Sequence, residues 1–154
     1  MSFRWAVTSA GKIAADFANA VRQLPGHEVV AVAARSEASA AAFSAAHCGG
    51  AAKAYGGKSR ARTKEDHCRN HRITHTQPLR TPRRASRRDV SHDVHTIAGY
   101  EAMFSDRAAH GADACYVATQ PDTHARCVEA LLKTKTPTLC EKPLAVGVES
   151  VEDL

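Results

Sequence analysis

The chain has no apolar run near the roughly 20 residues that a membrane-spanning helix needs, and its first residues lack the basic start and long apolar stretch of a secretory signal. Its five cysteines (Cys48, Cys68, Cys115, Cys127 and Cys140) include no CxxC pair, which removes the zinc ribbon and the disulfide scaffold. Aromatic residues make up only 5% of the sequence, and its composition is neither that of collagen nor that of a coiled coil. What remains is ordinary for one globular domain: 154 residues, 44% hydrophobic and 24% charged, enough to bury a core. The expectation is a soluble, cytoplasmic protein with reduced thiols.

The formal charge of +5 is unevenly placed. Residues 57–98 hold 11 Lys and Arg against 4 Asp and Glu, leaving 10 basic and 12 acidic residues for the rest. This segment has no aromatic residue, nine apolar residues in 42, and neither helical nor strand periodicity. It cannot bury a core of its own and is expected to be disordered.

The flanks alternate between strand and helix. The run FRWAVT predicts a strand, SAGK a tight turn, and Ile13, Phe17, Val21 and Leu24 the apolar face of a helix stopped by Pro25 and Gly26. Residues 29–34 (VVAVAA) predict a second strand, and Ser36 caps an alanine-rich helix from Glu37 to about His47. A short third strand is expected at 51–55, a helix at 100–109 and a strand at 113–119. A helix then opens at Pro121 with Val128, Leu131 and Leu132 on one face, and a strand at 137–140 runs into Glu141, Lys142 and Pro143. This order implies an α/β, doubly wound parallel sheet.

Two turns suggest a dinucleotide. Laid on GxGxxG, the first turn reads Ser9, Gly11 and Ala14, with Lys12 and Ile13 opening the helix whose amides face a phosphate; a plain glycine turn is the alternative. The second strand ends in Arg35 and Ser36, where an NAD enzyme places a carboxylate for the ribose hydroxyls. An arginine fork and a hydroxyl suit a 2′-phosphate and hence NADP, unless Arg35 is simply a solvated side chain.

A strand ending in AT, a helix opening QPDTH, and a strand ending in CEKPLA resemble the glucose-fructose oxidoreductase and inositol dehydrogenase family. FRWAVTSAGKIAADF, HEVVAVAARS, KAYGG, YEAMF and LCEKPLAV are similar to its dimeric dihydrodiol dehydrogenase branch, in residues 1–56 and 99–154. The resemblance implies a Rossmann domain and oxidation of trans-dihydrodiols or D-xylose with NADP. It implies Ser9, Gly11, Lys12 and Ile13 on the pyrophosphate and Arg35 with Ser36 on the 2′-phosphate. Thr119, Pro121 and His124 would lie beneath the nicotinamide, His124 being alternatively a cap or packing group. Glu141 and Lys142 would stand at the hydride-transfer face, with Lys142 catalytic because an ammonium can stabilise a substrate alkoxide. The resemblance further implies a second, mostly β-sheet α+β domain that completes the substrate site and forms the homodimer, and this domain is expected to be missing from this chain.

The expected organisation is thus 1–56 and 99–154 as two parts of an NADP-binding domain around a basic insertion at 57–98. Read as functional, the insertion would bind nucleic acid or another polyanion, with no sequence preference expected. His67, Cys68, His71 and His75 lack the second ligand pair that a zinc site wants, so no metal is expected. Codons GGT AAG for Gly57 and Lys58, and a CAG across Ala98 and Gly99, would make the insertion a retained intron.

Overall fold

The computed structural model describes residues 2–57 and 94–147, with the side chains of 94–98 left out. The basic stretch between, including His67, Cys68, His71 and His75, lies outside the described residues, as does its expected disorder.

Five strands, β1 (Phe3–Thr8), β2 (His27–Ala34), β3 (Lys53–Gly56), β4 (Ala114–Val117) and β5 (Thr138–Cys140), pair only in parallel, in the order β3-β2-β1-β4-β5. This is the doubly wound α/β order expected from the sequence. The chain reverses direction across the sheet between β1 and β4, where such sheets open a crevice at their carboxyl ends. Val7, Val32 and Val117 are fully buried because helices cover the central strands on both faces.

One face receives α1 (Lys12–Val21) and α2 (Glu37–His47), through Ala14, Ala18, Val21, Ala40 and Phe43. The other receives α3 (Val94–Ser105) and α5 (Pro121–Lys133), through Tyr100, Met103, Phe104, Cys127 and Leu131. A short α4 (Arg107–His110) ends at Gly111 in the left-handed conformation, φ 62°. The helix expected at 100–109 is therefore two helices broken at Asp106, and the first begins at Val94.

Two helical faces differ from their periodicity. Ile13, Leu24 and Leu132 are 47%, 51% and 50% exposed. On α1 the contact is made by Ala14, Ala18 and Val21, since small side chains let the helix approach the strands closely. On α5 the stripe is His124, Cys127, Val128 and Leu131, a run at i, i+3, i+4 and i+7 that leaves Leu132 in solvent.

A row of aromatic rings crosses the α1 face. Trp5 meets Phe17 edge-on at 5.2 Å, and Phe17 stacks on Tyr116 at 4.0 Å and 27°.

Candidate functional site

All five strands run the same way, so the turns that follow them share one edge of the sheet. After β1, Ser9 has φ 87°, a conformation that favours glycine, and its amide donates to the Ala33 carbonyl at 2.7 Å. The Ser9 hydroxyl accepts the Gly11 amide at 3.1 Å. Gly11 caps α1 without a side-chain hydrogen bond, and the first turn of α1 holds no acidic residue. A β-carbon on Gly11 would meet only the Ser9 hydroxyl, at 3.2 Å. Exposed helix amides, an adjacent open glycine and the cation of Lys12 are the donor set that a diphosphate requires. The residues present fit a dinucleotide, and Ala14, fully buried, makes the close helix-to-sheet contact.

After β2, Ala34 is buried and Arg35 exposed. The Ser36 hydroxyl accepts the Ser39 amide at 3.2 Å and lies 2.8 Å from the Ser39 hydroxyl, the cap expected from the sequence. Gly56 ends β3 against this turn. A β-carbon on it would stand 1.8 Å from the Glu37 nitrogen and 2.2 Å from the Ser36 carbonyl carbon.

After β4, Thr119 accepts a hydrogen bond from the Thr123 hydroxyl at 2.8 Å, and Pro121 occupies the first turn of α5. His124 is 1% exposed. Its Nδ1 lies 2.8 Å from the Pro143 carbonyl and its Nε2 3.0 Å from that of Thr119. The ring thus stands between the loop after β4 and the loop after β5, with each nitrogen against a backbone carbonyl.

After β5, the Glu141 amide donates to Val117 at 2.9 Å. The Tyr116 hydroxyl donates to Glu141 Oε1 at 2.7 Å, and the Lys142 amide donates to Oε2 at 3.0 Å. The Tyr116 bond, followed by that from Lys142, holds the Glu141 carboxyl below the usual glutamate range. Burial, then the Glu141 bond, pushes the Tyr116 hydroxyl well up. Lys142 itself is exposed, and the Lys142–Pro143 peptide is cis.

The candidate residues stand in four turns of one sheet edge: Ser9 to Ile13, Arg35 with Ser36, Thr119 to His124, and Glu141 with Lys142. Tyr116 and Gly56 belong with them and were not singled out from the sequence. A tyrosine inside a buried strand, whose hydroxyl must find a partner, was the available signal for the first.

The family model described as "Oxidoreductase family, NAD-binding Rossmann fold" (GFO/IDH/MocA) matches residues 3–154. The chain belongs to this family. Trans-1,2-dihydrobenzene-1,2-diol dehydrogenase from Danio rerio is 30% identical over 156 aligned residues, covering 100% of this chain and 33% of that protein. The chain spans about a third of the length of the curated dihydrodiol dehydrogenases it matches. Among solved structures, myo-inositol dehydrogenase from Lactobacillus casei with NAD(H) and myo-inositol is similar, with TM-score 0.62 and 18% identity over 99% of this chain and 32% of that one. KijD10, a 3-ketoreductase from Actinomadura kijaniata with NADP, has TM-score 0.63 and 19% identity over 99% and 34%. The family match shows a Rossmann domain of an oxidoreductase family that binds a nicotinamide dinucleotide, and the structural likenesses show the same fold. Among the described residues no helix is long and apolar enough to cross a membrane.

Proposed function

We propose that this chain is the NADP-binding part of a dehydrogenase that moves hydride between NADP and a trans-dihydrodiol or a sugar such as D-xylose. The observation that carries the cofactor choice is Arg35, exposed at the carboxyl end of β2 where an NAD enzyme wants an acid. Its guanidinium can take a 2′-phosphate in a fork of two charge-assisted hydrogen bonds, with the Ser36 hydroxyl beside it. Ser9, Gly11, Lys12 and Ile13 hold the pyrophosphate at the open end of α1. Thr119 and Pro121 form the floor of the nicotinamide half, and His124 fixes that floor from below.

When bound, the dinucleotide supplies the hydride acceptor or donor. In the oxidative direction Lys142, as the free amine, takes the proton from the substrate hydroxyl while the carbon beneath gives up hydride, and in the reverse direction its ammonium returns that proton to the oxygen as hydride arrives. The substrate class is supported by the dihydrodiol dehydrogenase alignment, which runs the whole length of this chain. Residues contributed by the family's second domain would close the substrate site and select among diols and sugars.

The test is calorimetric titration of the chain with NADP and NAD. NADP is expected to bind at least about tenfold more tightly, or about 1.4 kcal/mol, and Arg35→Asp to reverse the order. Equal affinities in the unmodified chain overturn the assignment of Arg35.

A further inference from the structure

Lys142 is exposed, yet both of its neighbours are fixed. Pro143 is held through its carbonyl by His124, and Glu141 through its carboxylate by Tyr116. The second contact reaches the lysine itself, because the oxygen of Glu141 that Tyr116 does not use receives the Lys142 amide at 3.0 Å. The carboxylate is a bridge from β4 to the backbone of the next residue but one beyond β5. The Tyr116 ring is in turn fixed by stacking on Phe17, which α1 supplies a little more than one turn beyond Lys12. Phosphate helix, ring, carboxylate and lysine backbone form one continuous contact.

We propose that Tyr116 is a positioning residue: by holding Glu141 Oε1, it directs Oε2 onto the Lys142 amide and so sets the point from which the lysine side chain reaches the substrate. The proposal rests on the reading of Lys142 as the group that handles the substrate hydroxyl. Residue chemistry supports it at both ends. An ionised glutamate accepts two donors at once, whereas a glutamine in its place turns an amide N–H₂ toward one of them. A phenylalanine at 116 would keep the stack on Phe17 but leave Oε1 to water, and the carboxylate would turn freely. The depressed titration of Glu141 is the expected mark of the bond.

The experiment uses the whole chain, its Tyr116→Phe variant and its Glu141→Gln variant, each checked for native circular dichroism. Amide hydrogen exchange at Lys142 should be about tenfold faster in both variants, the scale of one lost hydrogen bond. Carbon-13 titration should show the Glu141 carboxyl returning to the ordinary glutamate range in Tyr116→Phe. In Tyr116→Phe, NADPH affinity should stay within about threefold of the unmodified chain, since the phosphate contacts lie elsewhere. The shift that NADPH produces in the Lys142 side-chain resonance should be lost in Tyr116→Phe, a split that general loosening of the fold would not give.

If Tyr116→Phe does not fold, Glu141→Gln carries the exchange measurement from the other end of the bridge. Absence of NADPH binding by the unmodified chain would remove the functional reading, and the exchange and titration results would still decide whether Tyr116 holds the lysine backbone. Unchanged Lys142 exchange in the variants overturns the proposal.

Discussion

The amide nitrogen of Gly57 lies 2.4 Å from where a β-carbon on Gly99 would stand, with the Gly56 carbonyl carbon at 2.8 Å and the Ala34 oxygen at 2.9 Å. The described chain stops just after β3 and resumes in α3, where Gly99 lies close against the backbone of Gly56, Gly57 and Ala34. Removing residues 58–98 and joining Gly57 to Gly99 should therefore preserve the fold, with Gly99 as the new start of α3. Shortening a loop of about 40 residues to a few should favour the folded state by roughly 2 kcal/mol of closure entropy. Urea denaturation of the two chains gives the comparison; a shortened chain that does not fold would show that the segment is part of the domain and not an insertion.

Gly56 is the more sensitive glycine of that group. Its missing β-carbon leaves room for the backbone of Ser36 and Glu37, which cannot move without displacing Arg35. Gly56→Ala should destabilise the domain by about 3 kcal/mol and weaken NADP binding more than NAD binding. Chemical denaturation and the same two titrations measure both effects, and a variant as stable as the parent would refute the packing argument.

Ser9 carries backbone strain at φ 87°. Ser9→Gly should remain within about 1 kcal/mol of the parent, since relief of strain is offset by the greater freedom of the unfolded chain. Ser9→Val, with a branched β-carbon in the same conformation, should lose about 2 kcal/mol. Equal stability of the two variants in thermal unfolding would contradict the conformation.

His110 makes folding sensitive to mild acid. Its Nδ1 accepts the Ala112 amide at 3.1 Å and its Nε2 donates to the Met103 carbonyl at 3.0 Å, so the folded domain holds it neutral. Burial lowers its pKa below the usual histidine value, opposed by the Met103 carbonyl and Asp106 and assisted by Lys53 and Arg107. Just below the ordinary histidine value the unfolded chain takes up a proton that the folded chain refuses, so stability falls as pH falls through that window. Asp106, Glu129 and Glu141, all held below the usual carboxylate range, lose their contribution only at lower pH. Denaturation midpoints measured from neutral pH downward should fall first in the histidine window, and His110→Gln should flatten that part of the curve. A slope there that survives the substitution assigns it to another histidine.

Strands and the α2 cap were legible because local rules govern them: short continuous apolar runs such as VVAVAA, and Ser36 before an alanine-rich helix. The buried faces of α1 and α5 were less so. Periodicity follows large side chains, whereas a helix lying close on a sheet is seated by small ones such as Ala14 and Ala18. Of the proposed site, Arg35, Lys142 and the SAGK turn stand in contiguous motifs, which is why the sequence alone suggests them. The contact of Tyr116 with Glu141 joins residues 25 apart in sequence. It depends on the parallel register that sets Val117 opposite Cys140, a relation no local pattern contains.

Trp5 is the single tryptophan of the chain and belongs to the row of rings that reaches Glu141 through Phe17 and Tyr116. Indole emission overlaps the absorption of a dihydronicotinamide, so the domain carries its own fluorescent donor for resonance energy transfer. Quenching of Trp5 by NADPH, with the acceptor band appearing in its place, would follow cofactor loading without any label. The same ring row that braces the lysine loop thus makes that loop's ligand visible to light.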